Sequence, residues 1–559
     1  MLKSSIGVNL SPISIEPNKK MATARSFALA LLVAFAAIVH HAASTTQTAE
    51  TAAPATDATG FLQCLAVDLP AGVVYSNASQ SYASVLQSSI KNLLFVTPAT
   101  PTPLAIVAAA DASHVQAAVR CGARHGIRVR PRSGGHDYEG LSYRSLRAAR
   151  PFAVVDLAAL RAVRVDVKRE TAWVGSGATL GELYYAVANR SKRLGFPGGL
   201  GPTVGVGGHL SGGGFGTLLR KHGLAADHVV DAVVVDAMGR LLDRASMGED
   251  FFWAIRGGGG GSFGIVLSWK LRLVRVPPTV TVFTIHRPRN QSATALLTNW
   301  QQVAPALPSD MFLRVVLQNQ DAQFQSLYLG KRSGLLATLS KNFPELGVTP
   351  EDCIEMTWIQ SVLYFAFYGT GKPVELLLDR GAKPERFFKA KSDYVSAPIP
   401  SHVWESTWSW FLKDGAGLLI LDPYGGRMGS VAPAATPFPH RQELFNLQYY
   451  GFWFENGTEA SERHMAWIRD LHAFMEPYVS KNPRGAYANY RDLDLGVNGG
   501  GDQDSAASYE EARVWGERYF KANFQRLSAV KAKVDPDDFF RNEQSIPPLP
   551  SLRNGLTQS

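Results

Sequence analysis

Gly198-Gly-Leu-Gly201-Pro-Thr-Val204-Gly-Val-Gly-Gly-His209-Leu-Ser-Gly-Gly-Gly-Phe215-Gly216 is the stretch that decides the fold of this chain, together with Arg132-Ser-Gly-Gly-His136-Asp-Tyr-Glu-Gly140 upstream. Glycine at this density lets backbone amides approach a ligand closely and adopt positive φ, as proteins do around a pyrophosphate or a flat aromatic ring. A histidine sits inside the first loop, within reach of such a ring. A third segment, Arg256-Gly-Gly-Gly-Gly-Gly-Ser262-Phe-Gly264, formally contains the dinucleotide pattern G-x-G-x-x-G. That pattern needs a helix after it to receive the pyrophosphate, and Ile265-Val-Leu-Ser-Trp-Lys-Leu reads as a strand. No P-loop, H-E-x-x-H or C-x-x-C pair occurs, so phosphoryl transfer and zinc chemistry lack support and no metal is expected.

Working outward, 559 residues are enough for two domains with full cores. A hydrophobic content of 46% with 18% charged residues is that of a globular protein. The net charge of +9 is scattered, with nothing longer than pairs such as Arg220-Lys221. Nucleic-acid binding would need a basic stripe and is not expected. A weak affinity for anionic cell-wall polymers is a better use of the charge, and a merely soluble basic surface is favoured over both.

The apolar run from Phe27 to Val39 follows Arg25 and leads into Ala42-Ala43-Ser44. It is too short to span a bilayer and reads as a secretory signal over 1–44, with Met21 a better-shaped start than Met1. Residues 45–60 are Ala/Thr-rich and expected to be disordered. Of the three cysteines, Cys64 and Cys121 are expected to bridge, leaving Cys353 buried and inert. Sequons at Asn77, Asn189, Asn290 and Asn456 fit a secretory route to the extracellular space or cell wall, with the vacuole as the other destination. A monomer is expected.

From about residue 102 the pattern alternates. Helices are expected over 112–125 and 180–193, the second capped by Thr179, with strands over 127–130, 152–156, 171–175, 231–236 and 266–276. Pro277-Pro278 then marks a boundary. Residues 278–484 bring Trp-, Tyr- and Phe-rich helices and strands, and helices return around 510–530.

Six motifs in order, Gly134-Gly-His136, Trp173-Val-Gly-Ser-Gly-Ala-Thr-Leu-Gly-Glu182, Val206-Gly-Gly-His209, Phe251-Phe-Trp-Ala-Ile-Arg-Gly-Gly258, Tyr490-Arg-Asp-Leu-Asp-Leu-Gly496 and Phe539-Phe-Arg-Asn-Glu-Gln-Ser-Ile-Pro-Pro548, make the chain resemble the berberine bridge enzyme-like family of plant, secreted FAD-linked oxidases. The resemblance spans nearly the whole chain after the signal. It implies an α+β fold, with a two-subdomain FAD-binding domain of the vanillyl-alcohol-oxidase type over 98–277 after an N-terminal segment over 45–97. A substrate domain of antiparallel sheet and helices is inserted over 278–484, and 485–548 completes the FAD domain.

The same resemblance implies that His136 carries FAD through a covalent bond to the flavin's 8α methyl. It implies a cradle from Arg132, Ser133, Gly134, Gly135, Asp137, Ser142, Ser176, Gly177, Thr179 and Gly181. The rest of the cradle would come from Thr203, Val204, Gly205, Gly207, Gly208, His209, Gly213, Gly214, Gly261, Phe263, Val266 and Asn542. Relatives usually have cysteine, linked to flavin C6, where this chain has Gly201, so a single attachment is expected. Val204 stands where valine is associated with oxygen access in relatives. Tyr490 matches the tyrosine that relatives use as base, and Gln448, Tyr138 and Tyr487 are expected around it. Asn446 replaces a lysine of relatives and Phe215 a second tyrosine. Without that cation the phenol is poorly activated, since an unperturbed tyrosine has a pKa near ~10. The expected activity is transfer of hydride from an alcohol, phenolic alcohol or sugar hemiacetal carbon to flavin N5, with O2 making H2O2. The competing readings are a dehydrogenase with another acceptor, and a flavin-bearing defence or binding protein that no longer catalyses.

Overall fold

The computed structural model describes residues 56–148, 150–381, 385–499 and 508–550, so the expected signal peptide lies outside the described residues. The first sheet contains the first glycine loop's strand. Arg128–Arg132 pairs in parallel with Phe152–Asp156, which pairs in parallel with Ala105–Ala108, and Val74–Ser76 adds an antiparallel edge. The N-terminal segment is therefore part of this sheet. Phe152–Asp156 is buried at every position, as expected of a parallel strand covered on both faces.

A five-stranded antiparallel sheet follows in the order Val163–Asp166, Thr171–Gly175, Ile265–Arg272, Val229–Val235, Leu241–Leu242. Leu180–Arg190 is a helix closed at its start by a capping box. Thr179 accepts from the Glu182 amide at 3.2 Å, and Glu182 accepts from the Thr179 amide at 2.8 Å. It ends three residues short of the expected 193, because Ser191 turns extended and Leu194–Gly195 is taken into a strand pair with Val274–Arg275. Pro277-Pro278 falls between that pair and the Val280–Pro288 strand. Beyond it lies a seven-stranded sheet in the order Ile354–Met356, Val280–Pro288, Asp321–Tyr328, Met311–Gln318, Leu418–Pro423, Phe445–Trp453, Phe387–Val395, antiparallel throughout. Helices Ala293–Ala306 and Thr458–Met475 pack on it around Trp300, Trp404, Trp408 and Trp467.

Cys64 and Cys121 are bonded, with Cα atoms 5.8 Å apart, tying helix Ala58–Asp68 to helix Ala112–Arg124. Closing a loop of that length stabilises by about 4 kcal/mol on the chain-entropy account. One expectation is corrected here. The Ala/Thr-rich run to residue 60 is ordered at its end, because Asp57 accepts from the Gly60 amide at 2.8 Å and starts that first helix. Cys353 is free and buried. All four sequon asparagines are exposed. Among the described residues no helix is long and apolar enough to cross a membrane.

Candidate active site

Both glycine loops and the seven-stranded sheet meet at one cavity of about 990 Å³. That is at the upper end of the roughly 300–1,000 Å³ typical of small-molecule sites. Its glycine wall is made by close backbone approach. A Cβ on Gly134 would lie 2.4 Å from the Gly205 amide, and one on Gly135, at φ +70°, would lie 1.9 Å from the Ser89 carbonyl oxygen. Gly208 differs, since a Cβ there would meet nothing within 4 Å. The first two glycines bring the loops together, and the third leaves open space on the cavity side.

His136 lies on this wall, its Nε2 2.9 Å from Thr203 Oγ1. Burial, then the charge of Lys91, hold its imidazole down to about 3, so it is neutral at pH 7. With Nε2 engaged, Nδ1 is the ring nitrogen left for a ligand. His209 locks the second loop, its Nε2 accepting from the Gly199 amide at 3.0 Å, and burial lowers its pKa to about 4. Asp137 accepts from the amides of Glu139 and Leu141 and pairs with Arg491 at 2.7 Å, joining the first loop to the C-terminal segment.

Of the expected cradle, Ser133, Gly134, Gly135, His136, Asp137, Ser142, Ser176, Thr203, Val204, Gly205, Gly207, Gly208, His209, Gly261, Val266 and Asn542 line the cavity. Seven do not. Arg132 is fully buried, paired with Asp156 and donating to the carbonyls of Val85 and Leu86. Thr179 caps its helix. Gly177 and Gly181 let the chain pass Leu157 and Leu377, whose carbonyl oxygens would lie 1.6 and 2.1 Å from an added Cβ. Gly213 and Gly214 supply positive φ behind the wall, and Phe263 packs in the core.

Opposite the glycine wall stand aromatic rings. Tyr138 and Tyr490 stack 5.6 Å apart at 7°. Gln448 Nε2 donates to the Tyr138 hydroxyl at 2.9 Å. Tyr487 meets Tyr490 edge-on at 4.9 Å, while its oxygen accepts from the Gly214 amide and Asn489 Nδ2 at 2.9 and 3.0 Å. Its hydroxyl thus holds the second loop in place. Phe215 fills the space beside both rings. Burial raises the phenols of Tyr138, Tyr487 and Tyr490, and for Tyr490 the Tyr138 hydroxyl and the Asp422 carboxylate add to it. Asn446 is fully buried, donates to the Asp393 carbonyl at 3.2 Å and does not line the cavity.

Among the cavity residues that the sequence reading missed are two charged ones on neighbouring strands. Arg314 and Asp422, 3% and 5% exposed, project from the centre of the seven-stranded sheet. Each is a charged residue inside an otherwise apolar strand, Met-Phe-Leu-Arg314-Val-Val and Leu-Leu-Ile-Leu-Asp422-Pro. That break in pattern was the available signal.

The donor set fits FAD. A neutral histidine faces the cavity, glycine walls permit close approach, and the buried Ser142 Oγ is without a partner. A family model for an FAD binding domain matches residues 103–244, and one for berberine and berberine-like proteins matches 486–547. Berberine bridge enzyme-like Cyn d 4 of Cynodon dactylon is 53% identical over 530 residues, 95% of this chain and all of the relative. Monolignol oxidoreductase AtBBE-like 13 of Arabidopsis thaliana is 48% identical over 483 residues, 84% of this chain and 88% of the relative. The solved structure of the grass pollen allergen Phl p 4, a glucose dehydrogenase in its wild-type form, superposes with a TM-score of 0.85 at 51% identity, covering 88% of this chain and 99% of that one. Its isoleucine-to-valine variant is a glucose oxidase. At this identity and coverage the chain belongs to the berberine bridge enzyme-like family of FAD-linked oxidoreductases.

Proposed function

We propose that this protein is a secreted, monomeric oxidase that takes hydride from a sugar hemiacetal or alcohol carbon, with FAD singly attached through His136 and O2 as acceptor. The observation that carries it is the pairing, across one cavity, of a neutral His136 on a glycine wall with the Tyr138–Tyr490 stack. Bound there, the flavin supplies a two-electron acceptor for the hydride. The chain's residues do the rest. The loops keep the ring against the cavity wall and exclude water. Gln448 fixes Tyr138, and the stack fixes Tyr490, so that a substrate hydroxyl meets a phenol whose position is set from both sides. Tyr490 takes that hydroxyl's proton.

Gly201 lines the cavity and offers no thiol, which supports a single attachment. Val204 lines it too, which supports reading its small β-branched side chain as oxygen access, and in Phl p 4 an isoleucine-to-valine variant is a glucose oxidase. Wild-type Phl p 4 favours a second reading, a dehydrogenase using another acceptor. The four exposed sequons support the secretory route, with the cell wall as a destination.

Acid denaturation tests the attachment: the yellow colour should stay with the polypeptide, and the peptide containing His136 should carry the whole FAD mass. Anaerobic bleaching with sugars and monolignols, followed by admission of air, tests the rest. Bleaching with slow recovery in air selects the dehydrogenase.

A further inference from the structure

Tyr490 has a difficulty as the final resting place of a proton. Its phenol is raised well above its ordinary value by burial, and the substitutes that would help a phenolate are missing. Phe215 has no hydroxyl, and Asn446 is neutral and turned toward the Asp393 carbonyl. The sheet behind Tyr490, however, aims a carboxylate into the same cavity. In the Leu418–Pro423 strand, Ile420 pairs with Gln448 and Asp422 with Asn446. Arg314 lies in the neighbouring strand, one step beyond the last pair, Val315 with Leu421. The Asp422 carboxylate makes no hydrogen bond or ion pair to any described residue, and one Arg314 terminal nitrogen is buried without a partner. Two nearly buried charged groups that decline to pair are costly to keep, and that cost is expected where a function uses them.

We propose that Asp422 is the terminal acceptor of the substrate's hydroxyl proton, reached through the Tyr490 hydroxyl, with Arg314 as its counter-charge. This rests on the oxidase reading above. As the substrate's C–H electron pair leaves as hydride for the flavin, its O–H bond breaks and that pair becomes the second C–O bond. The proton goes to the Tyr490 oxygen while Tyr490 gives its own, across a bridging water in the shared cavity, to Asp422, so no free phenolate forms. Asp422 passes from carboxylate to acid, and the flavin is reduced by two electrons. Asp422 acts through the Tyr490 hydroxyl and is a positioning residue for the proton. The groups facing it are Arg314 from Met311–Gln318, Tyr490 from the C-terminal segment and Tyr424 two residues on, with Tyr394 beyond Asn446. The Phe445–Trp453 strand contributes only neutral Asn446 and Gln448. Burial raises the Asp422 carboxyl and Arg314 opposes it, leaving it at about 6, below neutral pH and available as an acceptor.

The test uses the full-length flavoprotein and anaerobic flavin reduction by glucose and by a monolignol. In the wild type the rate should rise through a limb near pH 6 and then level. Asp422→Asn should lose that limb and ~100-fold or more in rate at pH 7, recovering only where Tyr490 itself ionises. Asp422→Glu should restore the limb. Independently of turnover, infrared difference spectra should show a carboxyl band titrating in that range that Asp422→Asn removes. If Asp422→Asn fails to hold flavin, the wild-type limb and Asp422→Glu decide. A limb lying only in the alkaline range, or Asp422→Asn within a few-fold of wild type, overturns the relay and leaves the oxidase reading standing. No bleaching by either substrate at any pH overturns both.

Discussion

The two walls of the cavity carry their functions differently. The glycine wall works through backbone, so its demands fall on residue type at many adjacent positions and appear as a dense, ordered signature. The sheet wall adds single side chains on separate strands, Arg314 and Asp422, that are brought together only by strand pairing. Chemistry spread over a backbone is legible from one chain. Chemistry spread over a register is not.

The sharpest break of that comparison is within the glycine wall. Gly135→Ala should cost several kcal/mol, about 1–3 for strained φ and a similar amount for overpacking against the Ser89 carbonyl. Little flavoprotein should be recovered. Gly208→Ala, with open space around its Cβ, should keep stability within about 0.5 kcal/mol and instead impair flavin incorporation. Melting curves and the ratio of flavin to protein absorbance separate the two. Equal behaviour would mean that the wall is uniform packing.

On the facing wall, Tyr490→Phe should lower the flavin reduction rate ~100-fold or more with the flavin spectrum retained. Rapid mixing without oxygen measures it, and a change under tenfold would move the proton's path off Tyr490.

Asp422 gives an effect of opposite sign on stability. Its carboxyl is raised from 3.8 to about 6. An acid raised in the folded state favours folding below its unfolded pKa, and that contribution is lost as pH rises through the folded value. Ionisation at pH 7 therefore costs the fold up to about 3 kcal/mol. Asp422→Asn should gain up to that amount in urea unfolding at pH 7 and gain nothing below about pH 4. A loss at pH 7 would show that the carboxylate is a structural partner.

How much was legible follows the same division. The strands of the glycine half, the Thr179 cap and the Cys64–Cys121 bond were readable because turns and caps are written locally, and the cavity-facing cradle residues followed from the family resemblance. Arg132, Gly177 and Gly213 share those motifs for architectural reasons, and sequence alone could not tell a glycine that touches a ligand from one that touches a carbonyl. Asn446 was read as a neighbour of Tyr490; strand pairing sets it opposite Asp422, fully buried, with its amide donating to the Asp393 carbonyl. Arg314 and Asp422 went unread because their meaning depends on which strands lie adjacent.

The smallest effect concerns the boundary between the walls. Val204→Leu should slow reoxidation of the reduced flavin by O2 several-fold while leaving reduction by substrate nearly unchanged. Unchanged reoxidation would make Val204 packing. A Cβ on Gly201 would lie 3.0 Å from Val204 Cγ2, so Gly201→Cys should disturb the same half-reaction.

The C-terminal segment has a temporal consequence. Asp137 is held by Arg491, and Arg130, Ser145 and the Leu146 amide are held by Glu543, partners separated by up to 413 positions. Asn542 and Ile546 also line the cavity. A chain still emerging from the ribosome therefore lacks one side of the cradle until its last residues are made. Cofactor capture must follow synthesis, and every earlier moment is spent as an apoprotein with an open, glycine-lined cleft. The quality control that such a protein meets would act on that interval, and the supply of flavin at the end of translation would set how much of it is completed with cofactor.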